Sequence, residues 1–261
     1  MKKITFTLLL PILILSACKQ QESELASSAT ANQETATQDT LPDITAAAAA
    51  AGIANCQVQA ETLLPPDNPP SDTSLVAYLQ EMEQVVQAQN PEGLRKLVSP
   101  DISTGFDGSG GWSDFARQWH PENEGAEVWL LLEHLLRLGG GYPVEGRKDI
   151  FALPYVYSNW PDSIDAFMHV AVVKTGAILR EEPAANASAV CSLNQVILKV
   201  DYGKSYPEDA PQKEWWHVES ADGELQGYLH HPDVHSPVGY RAIFNKNKRG
   251  KWQMTALVAG D

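Results

Sequence analysis

Lysine and arginine are scarce. They number 19 against 33 aspartates and glutamates in 261 residues, a net charge of −14 at pH 7. Binding a nucleic-acid backbone needs clustered cations that displace counterions, so this balance excludes nucleic acid as a partner. It equally excludes electrostatic attachment to anionic lipid headgroups. A long apolar run is missing too. The most apolar stretch, residues 4–15, falls short of the roughly 20 residues a helix needs to cross a bilayer. Gly108, Gly110 and Gly111 form no phosphate loop, because no Lys-Ser or Lys-Thr follows them. What is present is an ordinary globular balance, 43% hydrophobic and 20% charged. The length allows one or two domains with a proper core.

The N-terminus carries an address. Met1-Lys2-Lys3 supplies a positive start, Ile4 to Leu15 an apolar stretch, and Leu15-Ser16-Ala17-Cys18 closes it. These are the proportions of a secretory signal peptide over 1–17. The last four residues resemble the lipobox of bacterial lipoproteins. The resemblance implies cleavage before Cys18 and attachment of diacylglycerol and an N-acyl chain (palmitate-type lipid) to that cysteine. Two or three acyl chains, at about 0.8 kcal/mol per buried methylene, would hold the protein on a membrane without help from charge. Lys19 instead of Asp at the next position implies the outer membrane, facing the periplasm, if the source is Gram-negative. Loss of Lys2 and Lys3 with the leader takes the side-chain charge from −14 to −16, so nucleic acid stays excluded.

Residues 19 to about 52 are rich in Gln, Glu, Ser, Thr and Ala and have no aromatic residue. Such a segment buries too little to offset its ordering entropy. With the stiff Pro65-Pro66-Asp67-Asn68-Pro69-Pro70 that follows, residues 18–70 read as a tether. Asp72, Thr73 and Ser74 are N-cap candidates for a helix whose apolar face is Leu75, Leu79, Met82 and Val86. Asn90-Pro91 starts a second, short helix with Leu94, Leu97 and Val98, which Ser99-Pro100 closes. Trp112, Phe115 and Trp119 share one helical face. Residues 126–138 read as the strongest helix, with Val128, Leu131, Leu132 and Leu135 apolar and Gly139-Gly140-Gly141 after its end. From Ile150 the period changes to short strands and turns. Tyr240, Ala242 and Phe244, then Trp252, Met254, Ala256 and Val258, alternate across a C-terminal hairpin. The fold class is α+β: an α-rich region over 71–167, a β-rich region over 168–235 and a hairpin over 236–261.

Within the β-rich region, Thr175-Gly176-Ala177-Ile178-Leu179-Arg180, the strand Val196 to Val200, Trp215-Trp216-His217-Val218 and Gly227-Tyr228-Leu229 occur in the order of the bacterial SH3-like (SH3b) domain. The region resembles that family, which implies a small β-barrel docking peptides or wall fragments in an aromatic groove. Trp215, Trp216 and Tyr228 are the groove candidates. Glu181-Glu182 and the long loop from Gly203 to Lys213 depart from the family pattern. The helix pair and the closing hairpin resemble nuclear-transport-factor-like cone folds, with Gly250-Lys251-Trp252-Gln253-Met254 in the place of the last strand. That implies either a barrel inserted in one discontinuous domain, 71–167 completed by 236–261, or an α-rich domain followed by a barrel and hairpin.

Cys56 and Cys191 remain after lipidation of Cys18, and read either as one disulfide or as two buried thiols. No basic or histidine neighbour activates Cys191 as a nucleophile. His230, His231 and His235, with Asp233, are ligand types that could reach zinc, but directly after the last strand they read as a solvated turn. His120, His134, His169 and His217 are scattered singly. Glu81, Glu83, Glu133, Glu181 and Glu182 have no spacing that demands acid–base work. No catalytic residue, metal or cofactor is therefore expected. The expected function is a lipid-anchored envelope protein that binds a peptide, a protein partner or peptidoglycan. The alternative is a small-molecule or enzymatic pocket in the cone-like region, for which Trp112, Trp119 and Phe151 would line an open cavity.

Overall fold

The computed structural model describes residues 52–106, 108, 110–210 and 212–260. The leader, Cys18 and most of the tether lie outside the described residues. Helix α1 (Thr73–Gln87) starts at Asp72, whose Oδ1 accepts the backbone N–H groups of Ser74 and Leu75 at 2.9 and 3.3 Å. Lys246 pairs with the same carboxylate at 2.6 Å, and this contact, with the Ser74 hydroxyl, holds Asp72 far below the usual carboxylate range. Tyr78, not Leu79, completes the buried stripe of Leu75, Met82 and Val86.

Helix α2 (Pro91–Leu97) is capped by Asn90, whose side chain accepts from the Gly93 N–H. Val98 does not belong to it. Proline pushes its predecessor toward extended backbone, so Val98 to Pro100 leave the helix and open strand β1 (Val98–Ser103). β1 is an edge strand, where the N–H that Pro100 lacks is not needed. Helix α3 (Gly111–Trp119) stacks Trp112 on Phe115. Helix α4 (Glu127–Leu138) buries Val128, Trp129, Leu132 and Leu135, while Leu131 is only half-buried. Its stop is chemical: Gly139 has φ +70°, and a Cβ on Gly140 would lie 2.0 Å from the Ala152 carbonyl oxygen. That close approach docks the helix end on β2 (Ile150–Leu153), which leads into the one-turn helix α5 (Tyr155–Ser158).

Seven strands follow: β3 (His169–Val172), β4 (Thr175–Arg180), β5 (Ala189–Asn194), β6 (Ile197–Tyr206), β7 (Trp215–Glu219), β8 (Gln226–His230) and β9 (Val234–His235). They form one sheet in the order β5-β4-β8-β7-β6-β3-β9. The sheet does not close into the barrel that the SH3-like resemblance implies. β9 is only two residues long, and the outer edge of β5 is taken by the N-terminal segment. There Asn55 bridges Ser192 and Cys56 is disulfide-bonded to Cys191. Thr62 then bridges Val196, and Val58 and Ala60 pack on the sheet's core. Residues 54–63, within the described part of the tether, are thus a strap built into the fold. Backbone pairing and the disulfide fix it there.

The hairpin β10 (Arg241–Lys246) and β11 (Trp252–Val258) joins β1 and β2 in a second sheet, ordered β1-β11-β10-β2. β11 runs parallel to β1, and β10 antiparallel to β2. The seven-stranded sheet therefore interrupts the four-stranded one in sequence. The simple alternation expected of β11 breaks at a bulge: Ile243 faces Ala256 but Phe244 faces Met254, and Thr255 is the extra residue. Leu257 becomes the buried position in place of Ala256.

Candidate functional site

The β7–β8 hairpin positions the groove candidates. Its turn is set by Ser220, whose hydroxyl accepts the Leu225 N–H, and by Gly223 at φ +75°. Gly227 is required because a Cβ there would lie 2.6 Å from the Arg180 carbonyl oxygen, where β8 meets β4. In this register Trp215 faces His230, Trp216 faces Leu229 and His217 faces Tyr228. Alternation then divides the three candidates. Trp215 and Tyr228 lie on the outer face, with Trp215 against His230 (4.9 Å between ring centroids) and Tyr228 edge-on to His217 (5.0 Å). Trp215 is closed over, only 6% exposed.

Trp216 turns the other way, onto the rim of the sheet's aliphatic core. Its indole N–H donates to His231 Nδ1 at 3.1 Å, the two rings stack at 6.1 Å, and Tyr202 approaches edge-on at 5.9 Å. Tyr202 is 38% exposed. The structure therefore replaces the expected groove with an aromatic rim of Trp216, Tyr202 and His231. Tyr202 was not legible as a member, because the register that sets Asp201 opposite His217, and so Tyr202 beside Trp216, pairs strands that a long loop separates.

The histidine cluster is dispersed. Asp233 is buried and pairs with Lys174 at 2.9 Å. His235 is buried against His134 of α4, 5.7 Å between centroids. Only His231 matches the solvated turn read from sequence; Asp233 and His235 are inside because the short 3₁₀ turn at His231–Asp233 folds β9 back onto β3. Burial, with the nearby Arg137 charge second, pushes His134 down to about 4. Burial and His134 push His235 down to about 3. Both rings are neutral near pH 7. Glu81, Glu83, Glu133, Glu181 and Glu182 are exposed.

The α-rich region is filled at its centre by Phe115, Trp129, Phe151 and Phe244. Trp112 and Trp119 belong to the stack on α3, where Trp119 meets Tyr240. A cavity of about 300 Å³ opens at the edge of this region, between the Pro65–Pro70 segment and a wall of Leu79, Glu83, Arg137, Phe151 and Leu153; of the three expected lining residues it takes in Phe151 but neither Trp112 nor Trp119.

No protein-family model matches the chain, and no curated protein matches it. Among solved structures, a protein from Shewanella frigidimarina NCIMB 400, described provisionally as a ketosteroid isomerase, aligns with 9% identity. The alignment covers 72% of this chain and 94% of that one, at a TM-score of 0.25. A likeness that low carries no argument about this chain.

Proposed function

We propose that the chain is a lipid-anchored cell-envelope protein whose β-rich unit, residues 168–235, is an SH3-like module inserted in a cone-like α+β domain and docks peptidoglycan or an envelope partner. The observation that carries the binding role is the aromatic rim. Trp216, Tyr202 and His231 are held in fixed mutual geometry at the surface, and such surfaces suit stacking on sugars and peptide groups. The anchor rests on Leu15-Ser16-Ala17-Cys18. The Cys56–Cys191 disulfide supports it: it fits an oxidising compartment and leaves Cys18 as the one remaining cysteine.

Two experiments test the reading. Cys18→Ala should move the protein from the membrane to the soluble fraction; continued sedimentation with membranes would contradict the anchor. The detergent-solubilised protein should cosediment saturably with purified insoluble peptidoglycan. Tyr202→Ala, folded by circular dichroism, should lose that binding. Equal binding by the variant would contradict the rim.

A second reading has one observation in its favour. The cavity beneath Pro65–Pro70, with Glu83 and Arg137 in its wall, suits a small polar–apolar molecule.

A further inference from the structure

On the outer face of the β-rich sheet three ligand-type side chains meet that lie apart in sequence. Asp201 of β6 faces His217 of β7, and Glu219 lies two residues further along the same strand face. One ligand atom from each lies within 4.8 Å of the other two. Each is aimed by its surroundings. Asp201 Oδ1 accepts the backbone N–H groups of Gly203 and Lys204 at 3.0 and 3.2 Å, which leaves Oδ2 for the cluster. The Ser205 hydroxyl accepts the His217 backbone N–H at 3.0 Å and donates to the Asp201 backbone carbonyl at 2.7 Å, pinning the β6 bulge to β7. The His217 side chain is only 7% exposed, and its Nδ1 points at Glu219 Oε1 from 3.9 Å. That buried nitrogen has no hydrogen-bond partner among the described residues. A buried polar atom without a partner is costly to keep and calls for a reason.

A cation already sits against the carboxylates. Lys204 Nζ lies 3.3 Å from Asp201 Oδ2 and 3.2 Å from Glu219 Oε1. The ammonium meets the two carboxylates and makes no hydrogen bond to His217 Nδ1. A metal ion satisfies all three.

We propose that Asp201, His217 and Glu219 bind a divalent transition metal, zinc by preference, and that Lys204 holds the place until the metal displaces its ammonium. One imidazole and two carboxylates form a mixed nitrogen–oxygen set that suits zinc, with a fourth position open to water or to a partner's ligand. Tetrahedral zinc needs its ligand atoms about 3.3 Å apart, so the carboxylates close in by about an ångström. Lys204, 53% exposed, has room to swing into solvent, while Lys199 remains 3.8 Å from Glu219 Oε2.

The test is calorimetric titration of the full-length, detergent-solubilised protein with Zn²⁺ after treatment with chelator. Wild type should bind one zinc. Lys204→Met should tighten binding by about tenfold or more, because it removes a like charge from the site. Glu219→Gln should weaken it by about tenfold or more. A His230→Ala, His231→Ala double variant should match wild type. Should Glu219→Gln fail to fold by circular dichroism, Asp201→Asn carries the same expectation. No zinc binding by wild type and Lys204→Met, equal affinities in the Lys204 and Glu219 variants, or binding lost with His230 and His231 would each overturn the site. The Lys204 and Glu219 variants leave the aromatic rim, on the other face, untouched; zinc binding lost with His230 and His231 would place the metal at the rim's His231 instead.

Discussion

The two sheets hold themselves together in different ways. The four-stranded sheet and its helices bury twenty-one residues in one core, including Tyr78, Phe115, Trp119, Trp129, Phe151, Phe244 and Trp252. The seven-stranded sheet buries eleven in its core, all aliphatic except Cys191. Large aromatic side chains bury the most apolar area per residue, so the first unit can rest on packing alone. The second has less to bury and uses a covalent tie: the strap carrying Cys56, Val58 and Ala60 covers its edge, and the disulfide fixes the strap. A third, smaller cluster, with Tyr155 and Val156 of α5 against Ala171 and Ile197, joins the two. The unit with the smaller core is also the one that carries the Asp201–His217–Glu219 cluster on one face and the aromatic rim on the other.

The sharpest way to break this comparison is to remove the tie. The disulfide spans 135 residues, and closing a loop of that size contributes about 4–5 kcal/mol in the chain-entropy model. A Cys56→Ala, Cys191→Ala double variant should lose about that much by urea denaturation. Its lost hydrogen-exchange protection should concentrate in β4, β5 and the strap. Uniform loss across both sheets would show that the units do not differ in this way. Cutting the packed unit comes next. Phe115 is fully buried on α3, and Phe115→Ala should cost about 3–5 kcal/mol through the cavity it leaves. Protection should fall first in the four-stranded sheet and its helices.

The smallest expected effect comes from acid at the His134–His235 contact, where α4 of one unit meets β9 of the other. Both groups fall below the ordinary 6.5 in the folded protein, His134 to about 4 and His235 to about 3. The unfolded chain therefore takes up protons first as pH drops. Their contribution is complete above about pH 6.5 and is lost as pH falls toward 4. The loss is at most about 1.4 kcal/mol per pH unit for His235, and less for half-buried His134. Urea midpoints at pH 7 and pH 5 measure it. His235→Gln should flatten the difference, and an unchanged slope would contradict the assignment.

Local chemistry was legible in the sequence. The Asp72 cap, helix α4 with its glycine stop and the C-terminal hairpin all follow from rules acting within a few residues. What was missed depended on distant partners. β1 read as the end of a helix because its reason to be extended, the parallel pairing with β11, lies more than 150 residues away. The strap read as tether because its hydrophobic residues are few and its partners are Ser192 and Val196. The bulge at Thr255 shifted the buried set of β11 without any glycine or proline to announce it. At the candidate sites the residue types were visible but their company was not. Alternation separates Trp215 from Trp216, yet only the β6–β7 register, with Asp201 opposite His217, brings Tyr202 to Trp216. His217 stood alone in the sequence until the β6–β7 register placed Asp201 and Glu219 beside it.

Hydrogen exchange of the whole protein with and without soluble peptidoglycan fragments most directly tests whether the β-rich unit is the one that binds. Added fragments should slow exchange around residues 200–206, 215–219 and 229–232, leaving α1 to α4 unchanged. Slowed exchange at residues 65–70 and the end of α4, with none at the rim, would contradict this reading and assign binding to the cavity beneath the prolines.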